Sequence, residues 1–188
     1  MELRVGYINS GTRALGPGMR FVIWTQGCKR NCAGCVSPEF RSLTDGYTID
    51  TNNLVNQICS SIHINGITIS GGEPFLQSKE LLELLTNISS KRPELDVIVF
   101  TGNVLEELCD KNSVALLNQI DLLVDGEYMS DLYCNVGLRG SSNQRFHYLT
   151  PRLKTFADEI ENGARRQECH WVNEERKAMV KIGIPTHE

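Results

Sequence analysis

The sequence predicts an α/β domain in which mostly parallel strands form an open, partial barrel. Short apolar runs typical of buried strands alternate with segments of helical periodicity. This alternation favours parallel strands joined by right-handed crossovers. Four such units occur, which is too few to close an eight-stranded barrel. With 188 residues, the chain has the length of one ordinary domain.

The predicted strands are short apolar runs that end in turn residues. The first follows a loop over residues 10–18, which contains Pro17 and several glycines. Each later strand follows a predicted helix, as expected for crossover units. The four strands cover residues 21–24, 66–70, 97–100 and 122–124, and a fifth is expected at residues 146–149.

Three helices connect these strands. Asp50 or Thr51 is expected to cap the first, whose apolar positions recur at helical spacing: Leu54, Val55 and Ile58. The second covers residues 78–90, and Pro93 prevents its continuation. The third is expected over residues 104–118, with a possible break near residues 112–113.

The pattern changes after Pro151. Residues 165–172 and 177–184 favour strands, and residues 173–176 between them favour a turn. The sequence therefore predicts a barrel domain over residues 1–150. Residues 151–188 are expected to form a small C-terminal β-hairpin extension packed on the same domain.

Composition narrows the class of protein. The formal net charge is −4, and the 22% of charged residues are spread along the chain, so neither a nucleic-acid nor a membrane partner is expected. No secretory leader and no long apolar run is visible, which favours a cytoplasmic protein. The remaining cysteines are scattered, as in a reducing compartment, and are expected to be small buried residues: Cys59, Cys109, Cys134 and Cys169.

Three cysteines directly follow the first strand. Cys28, Cys32 and Cys35 are separated by three and then two residues. Gly27 and Gly34 let backbone amides approach the sulfurs. An iron–sulfur cube held by three thiolates keeps one iron open for chemistry, whereas a structural zinc site needs a fourth ligand. The zinc alternative stays open, with one of three histidines as the fourth ligand: His63, His147 or His170.

Other unusual residues follow the later strands. In α/β folds of this kind the site forms where the strands reach their carboxyl ends. Gly71 and Gly72 can expose backbone groups to a ligand, although a simple turn at Gly71–Glu73 is the alternative. Asp125 can bind a ribose or a cation, or cap a turn. The candidate residues at these ends are Cys28, Cys32, Cys35, Gly71, Gly72, Glu73, Thr101 and Asp125.

A cysteine trio after the first strand, followed by Gly-Gly-Glu-Pro after the second, resembles the radical S-adenosylmethionine (SAM) superfamily. The resemblance implies a partial TIM-like barrel and a [4Fe-4S] cluster whose open iron binds the amino and carboxylate groups of SAM. It also implies that the glycine loop binds the SAM amino group. Reductive cleavage of SAM would then give methionine and a 5′-deoxyadenosyl radical.

More of the chain resembles the activating proteins of anaerobic ribonucleotide reductase, which are glycyl radical enzyme activases. The similar blocks are residues 16–20, 66–74, 100–102, 123–126 and 138–145. The resemblance implies a glycyl radical enzyme, or another protein or peptide, as partner, and a flavodoxin-like electron donor. It further implies that SAM contacts include Gly34, Val36, Arg139, Ser141 and Asn143.

Two rival functions remain. One is a radical SAM enzyme that modifies a peptide or a small molecule. The other is a non-catalytic zinc or iron–sulfur electron-transfer module. The chain also departs from common patterns, because Gly34 precedes the third cysteine where many superfamily members carry an aromatic residue, and Val36 follows it where activases often carry tyrosine.

Overall fold

The computed structural model describes residues 1–171 and 179–186. Its main sheet has seven strands: β1 (Glu2–Thr12), β2 (Arg20–Thr25), β3 (Tyr47–Asp50), β4 (Gly66–Gly71), β5 (Asp96–Phe100), β6 (Leu122–Asp125) and β7 (Arg145–Tyr148). Their order across the sheet is β3-β1-β2-β4-β5-β6-β7. The four central strands β2, β4, β5 and β6 run parallel, so their carboxyl ends meet at one edge. The predicted mixed α/β architecture with a mostly parallel central sheet is confirmed.

The outer strands run antiparallel to their neighbours. β1 pairs with β2 and with β3, and β7 pairs with β6. The predicted fifth strand is β7, which starts one residue earlier than expected. Strands β1 and β3 are not predicted from the sequence, and the loop predicted at residues 10–18 begins only after β1 ends at Thr12.

In the described residues, four α-helices complete the fold: α1 (Thr51–Ser60), α2 (Ser78–Lys91), α3 (Lys111–Leu117) and α4 (Ala157–Asn162). Asp50 caps α1 as predicted, since its carboxylate accepts from the amides of Asn52 and Asn53. The prediction of one helix over residues 104–118 is wrong. A short 3-10 turn covers Leu105–Glu107, and α3 begins only at Lys111, because Asp110 caps it.

The sheet buries both of its faces, but different parts of the chain cover them. Helices α1, α2 and α3 pack over one face, where Phe21 and Ile23 of β2 belong to a single large apolar cluster. On the other face, Val22 and Trp24 pack against Ile182 near the C-terminus. Leu153 and Ile160 cover the same face over β5 and β6. Residues beyond 150 therefore supply part of the hydrophobic core.

The C-terminal segment contains the predicted hairpin. Its strands are β8 (Glu168–Trp171) and β9 (Met179–Ile182), which pair antiparallel. The turn predicted at residues 173–176 lies outside the described residues. In the described ranges, no helix is both long and apolar enough to cross a membrane.

Arg20 fills the second face at the amino end of β2. It is fully buried, and its Nε donates to Thr68 Oγ1 at 3.1 Å. One terminal nitrogen donates to the carbonyl oxygen of Ile67 at 2.6 Å, and the other pairs with Asp96. Burial lowers the pKa of Arg20, and the Asp96 carboxylate opposes that change. The ion pair and these hydrogen bonds offset the desolvation cost of burying the guanidinium cation.

The expectation that all scattered cysteines are buried is only partly correct. Cys59 is half-buried and packs against the core, and Cys134 is also half-buried. Cys109 and Cys169 are exposed. Cys109 lies in the connection before α3, and Cys169 lies on the exposed face of β8 together with Trp171.

Candidate active site

An open cavity of about 250 Å³ lies at the carboxyl ends of β2, β4, β5 and β6. It brings together eight of the predicted site residues: Cys28, Cys32, Cys35, Val36, Gly71, Gly72, Glu73 and Thr101. The parallel strands explain this convergence, because each strand ends at the same edge of the sheet.

Backbone hydrogen bonds hold the cysteine loop against the chain that follows it. The amide of Gly27 donates to the carbonyl of Phe40 at 2.9 Å, and the amide of Cys28 donates to that of Arg41 at 3.0 Å. Gly27 and Gly34 have φ angles of 103° and 67°, where side chains other than glycine are strained. The two glycines thus allow the tight path that carries three thiols into one cavity.

Gly71, which ends β4, and Gly72, which follows it, let this part of the chain approach the cysteine loop. The amide of Glu73 donates to the carbonyl of Gly27, and the amide of Gly72 donates to that of Thr25, both at 2.8 Å. A Cβ atom on Gly72 would lie 2.3 Å from the Gly27 oxygen. Gly72 is therefore required by this contact between the two loops.

Glu73 joins the loops that follow β4 and β5. Its carboxylate accepts from the amide of Phe75 at 3.0 Å, from Thr101 Oγ1 at 2.8 Å and from the amide of Gly102 at 2.9 Å. Burial raises the pKa of Glu73, and these three donors oppose the rise. The side chain lines the cavity and fixes the position of Thr101 at the same time.

Arg30 connects the cysteine loop to the opposite side of the cavity. Its guanidinium donates to Asn103 Oδ1 at 2.8 Å and lies 3.3 Å from a Glu107 carboxylate oxygen and 3.7 Å from one of Glu127. These contacts reach the segments that follow both β5 and β6. The sequence analysis does not identify Arg30, because a charged loop residue carries no distinguishing pattern.

The thiols are partly buried. Burial raises the pKa of Cys28, and burial together with Glu127 raises the pKa of Cys32 to about 11. Binding a metal cluster at these sulfurs must therefore displace thiol protons.

The arrangement of donors fits an iron–sulfur cluster better than a single zinc ion. In the part of the chain that the structure describes, no three His, Cys, Asp or Glu side chains are close enough to hold one metal ion. A tetrahedral zinc needs four ligands within about 2.3 Å of it, whereas each thiolate of a cube binds a different iron. Of the three histidines considered as a fourth ligand, none is among the described residues that line the cavity.

An aromatic group forms one wall. The rings of Tyr7 and Trp24 have centroids 5.4 Å apart, and Phe40 stacks on Trp24 at 6.3 Å. Val36 adds an apolar contact beside them. Such a wall suits the flat face of an aromatic ligand. Tyr7 escapes the sequence analysis because it lies on the unpredicted strand β1.

Five other predicted site residues do not line the cavity. They are Gly34, Asp125, Arg139, Ser141 and Asn143. On this side the lining comes from residues near them in sequence: Gly126, Tyr128, Leu138, Gly140 and Gln144.

Asp125, the last residue of β6, is fully buried. Arg145 donates to it from Nε at 3.0 Å and from a terminal nitrogen at 2.5 Å, and the amide of Leu105 donates at 2.6 Å. His147 Nε2 lies 3.0 Å from the same carboxylate. Burial alone would raise the pKa of Asp125, but these contacts hold it below its usual value. Asp125 therefore ties the end of β6 to β7 and to the segment that follows β5.

Side-chain contacts hold residues 139–144 to one another and to the segment that follows β6. Ser141 Oγ accepts from the amide of Met129 at 3.1 Å, and Gln144 Oε1 accepts from the amide of Gly140 at 2.7 Å. Asn143 Nδ2 donates to the carbonyl of Glu127 at 2.8 Å. The Arg139 guanidinium lies 5.6 Å from the Phe146 ring centroid.

The C-terminal hairpin supplies a further wall that the sequence analysis misses. Its contribution is Gln167, Val180, Lys181, Gly183, Ile184 and Pro185. Arg165 fixes this wall, since it donates to the carbonyls of Pro185 at 2.7 Å and Arg139 at 2.5 Å.

The fold and site together define an α/β protein with a three-cysteine centre at the strand ends. A family model described as a 4Fe-4S single cluster domain matches residues 14–147. This match covers β2 to β7 and the cysteine loop, but not the hairpin.

Curated relatives narrow the class. An anaerobic ribonucleoside-triphosphate reductase-activating protein of Vibrio cholerae is 33% identical over 144 residues, covering 72% of this chain and 91% of the relative. Proteins of the same name are 30% identical in Enterobacteria phage T4, covering 69% and 84%, and 32% identical in Escherichia coli K12, covering 71% and 91%. The chain belongs to the family of anaerobic ribonucleoside-triphosphate reductase-activating proteins.

Proposed function

We propose that this protein is a radical SAM enzyme that generates a glycyl radical on a partner enzyme such as anaerobic ribonucleotide reductase. The observation that carries the proposal is the meeting of three cysteines, the Gly71–Glu73 loop and an aromatic wall in one cavity. The names of the curated relatives indicate the class of partner protein, an anaerobic ribonucleoside-triphosphate reductase.

Cys28, Cys32 and Cys35 would hold a [4Fe-4S] cluster. When bound, such a cluster supplies one electron at its open iron for the cleavage of SAM into methionine and a 5′-deoxyadenosyl radical. A glycine Cα–H of the partner would give its hydrogen atom to that radical, which leaves 5′-deoxyadenosine and the glycyl radical.

The remaining predicted site residues divide into two roles under this proposal. Gly71, Gly72, Thr101 and Val36 would lie beside SAM, with Trp24 and its aromatic neighbours near the adenine. Glu73 belongs to the same group, since it lines the cavity and would hold Gly71 and Gly72 beside SAM. A second group would shape the cofactor pocket from its outer layer: Gly34, Asp125, Arg139, Ser141 and Asn143.

We place the fold as a partial TIM-like barrel. Support comes from the neighbouring strands β2, β4, β5 and β6, which follow one another in chain order as in a segment of such a barrel. We assign residues 1–150 to the barrel domain and residues 151–188 to an extension packed on it. A flavodoxin-like protein as electron donor and a cytoplasmic location complete the proposal.

A second candidate is a radical SAM enzyme that modifies another peptide or a small molecule. It is favoured by the hairpin wall, which lies beyond the family match ending at residue 147. Identification of a product other than a glycyl radical would support it.

The test is anaerobic reconstitution with iron and sulfide, followed by SAM and dithionite. We expect 5′-deoxyadenosine and, when anaerobic ribonucleotide reductase is added, a glycyl radical signal in electron paramagnetic resonance. Cys109→Ser is the matched control, because Cys109 is exposed and lies outside the cavity lining. SAM cleavage without a radical on the reductase would favour the second candidate. One bound zinc and no SAM cleavage would indicate a non-catalytic metal module.

A further inference from the structure

The hairpin is placed at the cavity by anchors on both its strands and its flanks. Glu168 of β8 accepts from Thr12 Oγ1 at 2.6 Å and from the amide of Arg13 at 2.9 Å. His170 Nδ1 lies 3.4 Å from Asn9 Nδ2. β8 is therefore fixed against the end of β1.

β9 lies on the cavity side of this hairpin. Val180 and Lys181 of β9 line the cavity, whereas no residue of β8 is among the described lining residues. Ile182 is buried against Val22 and Trp24, which holds β9 on the sheet. Gly183, with a φ of 123°, then turns the chain toward Ile184 and Pro185 at the cavity wall.

One edge of β9 has no strand partner among residues 1–171 and 179–186. The sheet that contains it has two strands, and β8 occupies one edge. An edge strand presents a row of amide and carbonyl groups that can pair with an added extended segment. Here that edge continues directly into the catalytic cavity.

We propose that β9 is the docking strand for the substrate protein. An extended, glycine-containing segment of the partner adds to its free edge and is led past Gly183 toward the three cysteines. This inference rests on the proposed function, which requires a partner backbone to reach the cavity. Backbone pairing suits such a substrate, because a glycine offers no side chain for recognition.

Strand pairing has a signature that simple groove binding lacks. Alternate amides of an added strand face the docking strand, so the effect of removing single amides repeats every two residues. The probe is a fluorescein-labelled peptide of the reductase centred on its radical glycine, bound to the reconstituted protein with SAM and followed by fluorescence anisotropy. Single N-methylation along the peptide is expected to weaken binding about 3- to 10-fold at every second position.

Two adjacent proline variants locate the docking strand. Of Val180→Pro and Lys181→Pro, one removes an amide bonded to β8 and the other an amide on the free edge, where proline is tolerated. The edge variant is expected to keep the thermal midpoint of unfolding, because it removes no hydrogen bond between β8 and β9. It should lose peptide affinity about 3- to 10-fold.

The outcomes separate this inference from the proposed function. If the unmodified protein makes no glycyl radical on the reductase, the proposed function fails. If it makes the radical but the N-methyl profile shows no two-residue repeat, β9 pairing is wrong and the function stands. Normal peptide affinity in the proline variant that keeps its midpoint would also overturn the pairing. So would a dimer that dissociates in that variant, because the edge would then belong to a second copy of this chain.

Discussion

The two sides of the cavity are built in different ways. On the cysteine side, backbone groups of two loops bond directly to each other, as in the contact between Glu73 and Gly27. On the opposite side, polar side chains hold the chain segments in place: Asp125 accepts from the amide of Leu105, and Gln144, itself part of the lining, donates to the carbonyl of Gly126. The predicted site residues therefore mostly line the cavity on the cysteine side, whereas on the opposite side they support the residues that line it.

This difference separates two kinds of mutational effect. Changes on the cysteine side alter the groups that face the ligands and the loop contact that places them. Changes on the opposite side act only through the position of the residues that line the cavity. Their effects on activity are therefore expected to be smaller, and the free energy of unfolding should change first. The following predictions test that separation in order of expected effect.

Cys32→Ala is expected to abolish SAM cleavage, because two thiolates do not hold the cube. Iron and sulfide content after anaerobic reconstitution and 5′-deoxyadenosine yield measure the effect. Cys109→Ser, on the exposed connection before α3, should retain both. Full cluster content in Cys32→Ala would remove this cysteine from the ligand set.

Gly72→Ala tests the backbone contact between the loops. Its new Cβ would lie 2.3 Å from the Gly27 oxygen, so the cysteine loop must shift. Overpacking of this kind costs about 1–3 kcal/mol of the free energy of unfolding, and iron uptake should fall with it. Gly11→Ala is the control, since its Cβ meets only the flexible Met19 side chain, at 3.3 Å. Equal behaviour of the two variants in denaturant unfolding and iron uptake would contradict the required contact.

Asp125→Asn tests the opposite side through pH. The folded-state pKa of Asp125 is lowered, so its contribution to stability is present above the ordinary aspartate pKa and is lost as pH falls through the folded value. The variant should lose about 1–2 kcal/mol of unfolding free energy at neutral pH. That deficit should shrink below about pH 4. Urea unfolding at a series of pH values measures it, and a deficit independent of pH would exclude the charged carboxylate as the cause.

Ser141→Ala and Asn143→Ala should have the smallest effects. Ser141 is buried and accepts from the amide of Met129, so its loss should reduce the unfolding free energy by about 1 kcal/mol. Asn143 is exposed, and we expect less than about 0.5 kcal/mol from its removal. SAM affinity, measured by equilibrium dialysis, should change little in either. A tenfold loss of SAM affinity in Asn143→Ala alone would make Asn143 a direct contact.

The cysteine side of the cavity can be predicted from the sequence because its residues lie directly at the ends of predicted strands. Cys28 and Gly72 are each at a strand end, and the strand order brings the ends together. The opposite side of the cavity is harder to predict, because Asp125 and Gly126 are adjacent in sequence but only Gly126 lines the cavity. Which of two neighbours points inward depends on contacts from distant residues such as Arg145, and these have no local pattern.

Long-range placement also explains the two missed walls. Tyr7 reaches the cavity because β1 pairs antiparallel with β2, a pairing that local periodicity does not specify. Pro185 reaches it because Arg165 and Ile182 hold the hairpin on the sheet. The hairpin itself is visible in the sequence as two β-prone runs, but its position is not.

The buried Arg20 closes the amino end of the sheet face on which the cavity lies. Packed against Thr68 and paired with Asp96, it fills the amino end of the same sheet face whose carboxyl end is open. SAM and its products are therefore expected to enter and leave at the carboxyl ends of the strands, where a docked partner segment would lie. Turnover is expected to follow a last-in, first-out order, in which the partner withdraws before methionine and 5′-deoxyadenosine depart. A large excess of partner should then slow steady-state turnover while the first turnover keeps its rate.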